Sequence, residues 1–397
     1  MWYLRLPLVA KILIGAVIGG LVGWALGGRA ESLKPVSDLV LQLLTLLATP
    51  LIFLGLFHAV LTATVRGRLA GRLAWVMVSN SIAAALIGLI FADLIAPGSR
   101  IRSLTLREFP SAGLPSAASP LSQLLDRIPR DLVNPFATND VLGVVVLAIA
   151  FALALRTLRL AHSARIDNVA AYANLGLQAT IRILHWVFEL IPIAVLAVVT
   201  RIVGTTGLTP LAQMAWFVLA VLIALAVTAI FYALRLRLST SLRPADFVSG
   251  ASDALLLAFS TASSAATLPV TYECAVTKLG VSEEAASLGV MAGGPLNHDG
   301  GALYQVVSAL CLAQAIRQPL GFGGQALLIG IAVVASICTA GIPQAGLISM
   351  VAVFRAVHLP VEWIPFLLPV DWFLDRCRTT INVAGNLVAT CIGDTND

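Results

Sequence analysis

Apolar runs dominate the first 240 residues, at 9–28, 38–63, 75–96, 140–158, 169–203 and 211–236, each with few polar interruptions. About 20 helical residues cross a bilayer core, so the pattern predicts six spanning helices. Beyond Arg243 the pattern changes. Residues 246–259 are apolar but would make only about 21 Å of helix, against a core of about 30 Å. They meet a small, polar stretch at 260–269, and a second short apolar arm runs to Lys278. A half-span, a small tip and a return predict a re-entrant hairpin. Residues 325–336, a tip at 339–346 and a return at 347–357 repeat the design. Irregular backbone at that depth is tolerated only where protein buries it or where it lines a cavity.

Two further spans complete the chain. The run at 285–315 is broken by Gly293, Gly294, Pro295, Gly300 and Gly301, whose neighbourhood frees backbone carbonyls. The last, 364–392, carries Asp371, Asp375, Arg378, Asn382 and Asn386. Spacings of 4, 3, 4 and 4 put all five within an arc of about 80° on a helix. The chain therefore reads as an all-α polytopic membrane protein of eight transmembrane helices and two re-entrant helical hairpins. Six helices occupy 1–240. A core occupies 244–397, as hairpin 244–279, span 282–317, hairpin 324–357 and span 361–393.

Composition supports this reading: 59% of the 397 residues are hydrophobic and 11% charged. The mean hydropathy is +0.94. A soluble domain carries about a quarter charged residues. The net charge of +5 is an orientation signal with no nucleic-acid patch behind it. Arg66, Arg68 and Arg72, then Arg156, Arg159 and Arg165, then Arg235, Arg237 and Arg243 fall in alternate loops. The positive-inside rule makes that side cytoplasmic, with the termini, in a cell (inner) membrane. The stretch 97–138 is expected outside, wrapping the bundle. No cleavable signal pattern is evident at the N-terminus. Five scattered cysteines without a CxxC pair argue for packed thiols over disulfides or zinc. No Gly-rich phosphate loop occurs, which argues against ATP-driven transport.

Each charge at mid-bilayer costs about 3 kcal/mol, so Asp371, Asp375, Arg378 and Asp299 need partners or a polar cavity. One account is a structural ion pair between Asp375 and Arg378. The other is a ligand site: arginine takes a carboxylate bidentately, an aspartate one turn away holds an ammonium, and helix N-termini at the hairpin tips favour a second carboxylate. Those demands describe an acidic amino acid. An intramembrane aspartyl protease using Asp299 and Asp371 would leave Arg378 and both hairpins unexplained; the chain reads as a carrier and not as an enzyme. An ion channel is the nearer rival.

Four ordered motifs carry a resemblance: Ser263 to Pro269, Asn297-His298-Asp299-Gly300, Ala340 to Gly346, and Asp371 to Val383. With them the C-terminal half resembles the dicarboxylate/amino acid:cation symporter family, and Pro50 and Pro97-Gly98 extend the likeness into the N-terminal half. The resemblance implies a homotrimer in which a transport domain moves past a scaffold of helices 1, 2, 4 and 5 by an elevator motion. Helices 3 and 6 would move with the core. By position, Arg378 would bind the side-chain carboxylate and Asp375 the amino group. Ser263, Ser264, Gly301, Ile342, Gly346, Thr379 and Asn382 would complete the pocket. Sodium positions carried over in the same way are Ser81, Gly293, Asn297, Asp299, Ser336, Ile337, Thr339, Asn382 and Asn386.

Departures from the family pattern concentrate on these cations. Asn386 stands where sodium-coupled members have Asp, Met77 and Asn80 stand for a tyrosine and a threonine, Pro295 for a threonine, and His298 for a methionine. No resident cofactor is expected, only co-transported Na+ or H+. His298 is either a proton carrier or a hydrogen-bonding core residue. Asn386 also suits the family's C4-dicarboxylate carriers of succinate or fumarate, against which Asp375 argues. The expected activity is import of aspartate or glutamate, with proton-coupled C4-dicarboxylate transport as alternative and a neutral amino acid carrier behind both.

Overall fold

The computed structural model describes residues 8–62, 68–101, 131–138, 141–337, 339, 341 and 343–394. Among them the secondary structure is helical throughout, without a strand. Helices α1 (Leu8–Leu26), α2 (Lys34–Thr62) and α3 (Arg68–Ile95) are followed by α4 (Val141–Phe188), α5 (Ile191–Thr206) and α6 (Thr209–Ser239). Then come α7 (Pro244–Thr261), α8 (Ser264–Glu273), α9 (Asp299–Ala315), α10 (Phe322–Ile337), α11 (Ala345–Ala356) and α12 (Ile364–Gly393). By length and composition, three segments are fit to cross a membrane, Ala10–Thr62, Arg68–Arg100 and Thr209–Ser239; the bent pair His162–Phe188 and Ile191–Thr206 makes a fourth. Large side chains such as Trp75, Leu94 and Ile230 stand exposed on α3 and α6, as helices facing an apolar medium allow.

Two expected helices differ. The fourth and fifth runs join in one 48-residue α4, interrupted at His162 (φ −141°, ψ 42°). The fifth run then breaks after Phe188, because Pro192 at the start of α5 has no N–H to continue the ladder. Most of the 97–138 stretch, with Arg5 and Arg66, lies outside the described residues. Its near end, a 3-10 turn at Pro97–Arg100, packs on α9.

Close backbone approach organises the packing. Gly15, Gly19 and Gly23, four residues apart on α1, face α5 so tightly that a Cβ would lie 2.6, 2.7 and 2.5 Å from the carbonyl oxygens of Pro192, Leu196 and Thr200. Helices without a hydrophobic drive between them associate through such small-residue stripes. Gly98 is tighter still, a Cβ falling 1.9 Å from the Cys311 carbonyl oxygen. Gly98→Ala must push the turn off α9, an overpacking cost of about 1–3 kcal/mol. The expected result is a lower unfolding temperature for the detergent-solubilised variant, and an unchanged one would contradict this packing.

Helices α7 and α8 pack as a hairpin, as do α10 and α11. The first turns at Ala262, in the left-handed region (φ 52°). Ser263 then caps α8, its hydroxyl accepting from the Ala266 N–H at 3.2 Å. The second turns at Gln344 (φ 63°), directly before α11. The broken span appears as a helical turn Glu283–Ala286, a π-helical run Ser287–Ala292, a 3-10 turn Gly294–Leu296, extended Asn297, then α9.

Candidate functional site

Helix α12 buries its polar face. Asp371, Arg378 and Asn386 are at most 2% exposed, and Asp375, Thr379 and Asn382 are also buried. The period-3.6 pattern produces this directly, since polar residues on one face of an apolar helix must turn toward protein. Arg378 is the hub. Its Nη2 donates to Asp371 Oδ1 and to Asp375 Oδ1, each at 2.8 Å. Its Nε and Nη1 have no hydrogen-bond partner among the described residues. Its Cζ lies over the Tyr304 ring, 3.8 Å from the centroid. On the hairpin side a Cβ at Gly346 would stand 3.0 Å from Nη1. Absence of a side chain at Gly346 is what lets α11 reach the cation.

Both hairpin tips converge here. The Gln344 N–H donates to Asp375 Oδ2 at 2.8 Å. Ser263 Oγ and the Ala265 N–H both donate to the Gly341 carbonyl, at 2.7 and 3.0 Å. Helices α8 and α11 begin at these tips, so their N-terminal N–H groups and dipoles favour an anion between them. His298 ties the tips together from beneath. Its Nδ1 lies 3.0 Å from the Ser336 carbonyl and its Nε2 3.2 Å from Ser264 Oγ. A carbonyl only accepts, so Nδ1 carries a hydrogen, and a neutral ring leaves Nε2 to accept from Ser264. Gly301, at the start of α9, adjoins His298 Cβ. Ile342 lies outside the described residues.

The expected cation positions fall into three groups. Asp299, fully buried, accepts from Ser81 at 2.5 Å, from Asn297 Nδ2 at 3.3 Å and from the Tyr232 hydroxyl. Asn80 beside it accepts from Arg235, which also donates to Ser79 Oγ at 2.8 Å. Asn386 Nδ2 donates to the Gly294 carbonyl at 3.3 Å, and Asn382 Oδ1 accepts from the Gly300 N–H at 2.8 Å. At the third group Ser336 gives its carbonyl to His298, and Thr339 bonds back to Ala335. Ile337 is half-buried, and Gly293 packs against Met77. A cavity of about 210 Å³ bounded by Leu73, Met77, Ser81, Gly293, Asn297 and Ile337 adjoins the Asp299 group.

Three participants escape the sequence reading. Tyr304 under Arg378, Tyr232 on Asp299 and Arg235 on Asn80 come from α9 and α6. The i, i+3 spacing of Tyr232 and Arg235 on an otherwise apolar helix was the available signal. The Asp375–Arg378 ion pair does form, and Asp371 joins it.

Residues 8–395 match the family described as the Sodium:dicarboxylate symporter family. Among curated relatives, a protein named C4-dicarboxylate transport protein from Xanthomonas campestris is 27% identical over 397 residues, covering 96% of this chain and 86% of that protein. One of the same name from Rhodospirillum rubrum is 29% identical, covering 97% and 87%. Human Excitatory amino acid transporter 1 is 34% identical over 271 residues, 66% of this chain and 49% of that protein.

Proposed function

Since the chain belongs to the sodium:dicarboxylate symporter family, we propose that Arg378 is the anchor of a small anion with two carboxylates, an acidic amino acid above all, carried inward with a cation. The observation that carries this reading is the buried guanidinium, with Nε and Nη1 unpartnered among the described residues, set between two hairpin tips. One carboxylate of aspartate or glutamate meets Arg378, the other meets the tip N–H groups around Ser263, Ser264 and Gly346, and the ammonium meets Asp375. Thr379, Asn382 and Gly301 close the pocket. The second reading, a C4-dicarboxylate such as succinate, is favoured by the full-length relatives and uses the same anchor.

The wider architecture belongs to the same proposal. Eight spanning helices and two re-entrant hairpins form each subunit of a homotrimer, with cytoplasmic termini in an inner membrane. The core slides past the scaffold as an elevator.

Proton coupling outweighs sodium coupling. At each group of cation positions a protein N–H already occupies an oxygen: His298 at Ser336, Asn386 at Gly294, Arg235 at Asn80. A hard cation needs those oxygens free. Labelled aspartate and succinate, offered to protein-loaded liposomes, are expected to enter under an inward proton gradient, with a sodium gradient adding little. No uptake of either under either gradient would remove the assignment.

A further inference from the structure

We propose that Asp375 is a substrate-dependent proton site, so that a dicarboxylate is bound with one more proton than an acidic amino acid. The inference rests on Arg378 being the substrate anchor. Its starting point is how the guanidinium is shared. A guanidinium presents two edges able to take a carboxylate bidentately, Nε with Nη2 and Nη1 with Nη2. Both edges need a hydrogen of Nη2. Both of those hydrogens are engaged, one on Asp371 and one on Asp375. The free donors, Nε and Nη1, therefore sit on different edges. A substrate carboxylate gains its two-point grip only by displacing one aspartate from Nη2.

Asp375 is the one placed to leave. Its Oδ2 already has a second partner, the Gln344 N–H directly before α11. Asp371 lies deeper, 1% exposed, held by Arg378 at 2.8 Å with the Tyr304 hydroxyl beside its carboxylate. Charged and titratable groups acting on this cluster are few: Asp371, Arg376 and Arg378 on the same helix, and Tyr304 from α9. Among the described residues, the α10–α11 hairpin gives Asp375 a backbone N–H and no charged side chain. Arg376 is already held by the Phe259 carbonyl, at 2.7 Å, and the Ser260 carbonyl. No second buried cation is at hand among the described residues to replace Arg378 at Asp375.

The displaced carboxylate then needs positive charge from elsewhere. An amino acid brings it, the ammonium taking the position of Nη2 at Asp375. Succinate has none, so a proton from solution binds Asp375 and the neutral acid donates to a substrate carboxylate. Counted over Asp371, Asp375, Arg378 and the ligand, charge is −2 with aspartate and −2 with succinate plus one proton. The two loaded sites carry equal charge, so burying either one costs about the same.

Calorimetric titration of the purified protein, in buffers of differing ionisation enthalpy at about pH 7.5 where both ligands' carboxylates are ionised, reads protons taken up per ligand bound. Succinate is expected to take up one proton more than aspartate. Asp375→Asn should lose aspartate binding at least tenfold and take up one proton fewer with succinate. Equal proton counts for the two ligands in the unmodified protein would overturn the proposal, as would an unchanged succinate count in the variant. Binding of aspartate with no binding of succinate overturns it too, while leaving Arg378 as an amino acid anchor. Binding of neither ends that reading and this one together.

Discussion

Arg378→Ala should lower kcat/KM for aspartate and for succinate by about thirtyfold or more. Among the described residues the guanidinium is the one planar cationic fork inside the site, and truncating one partner of a buried, hydrogen-bonded charge pair costs about 2–5 kcal/mol. That is a factor of roughly 30 to several thousand. Part of the loss comes from the partners left behind: Asp371 and Asp375 would then face each other without the cation they share. Combining Arg378→Ala with Asp371→Asn separates the two effects. The double variant should regain solubilised, monodisperse protein and still take up neither substrate. Undiminished aspartate uptake by a folded Arg378→Ala protein would refute the anchor.

Asn386→Asp should create sodium dependence where the parent has little. Asn386 Nδ2 sits 3.3 Å from the Gly294 carbonyl and donates to it, while Oδ1 has no partner among the described residues. An aspartate replaces that donor with an oxygen, so two acceptors face each other in a buried space. A cation between them relieves the repulsion, and carboxylate and carbonyl oxygens are the ligands a hard cation prefers. Sodium should raise the variant's unfolding temperature and its aspartate uptake by about tenfold or more, equivalent to 1.4 kcal/mol. Indifference to sodium in the variant would show that position 386 does not govern cation binding.

The sequence made legible whatever one helix or one turn encodes by itself. The polar arc of α12 follows from spacing alone, and Asp371, Asp375, Arg378, Asn382 and Asn386 are all buried together on it. The short apolar arms at 246–259 and 325–336 fall within α7 (Pro244–Thr261) and α10 (Phe322–Ile337), where apolar runs bounded by small, polar tips set helix length locally. Pairings between helices distant in sequence were not readable. Nothing in the local pattern joins Tyr304 to Arg378 or Tyr232 to Asp299; only the tertiary packing of α6 and α9 does so. The π-helical run Ser287–Ala292 also escapes periodicity, because its wider turn answers to packing against Thr390 at Gly289 and not to a residue signature.

The imidazole of His298 reaches one hairpin with each of its nitrogens, while the Gly341 carbonyl receives two donors from the opposite tip. Were these contacts independent, the two hairpins could part bond by bond through a continuum of intermediate shapes. Because a shared ring and a shared oxygen couple them, loosening one contact misaligns its companion. If the two hairpins part, they are therefore expected to do so as one cooperative two-state step, read as a single relaxation rate.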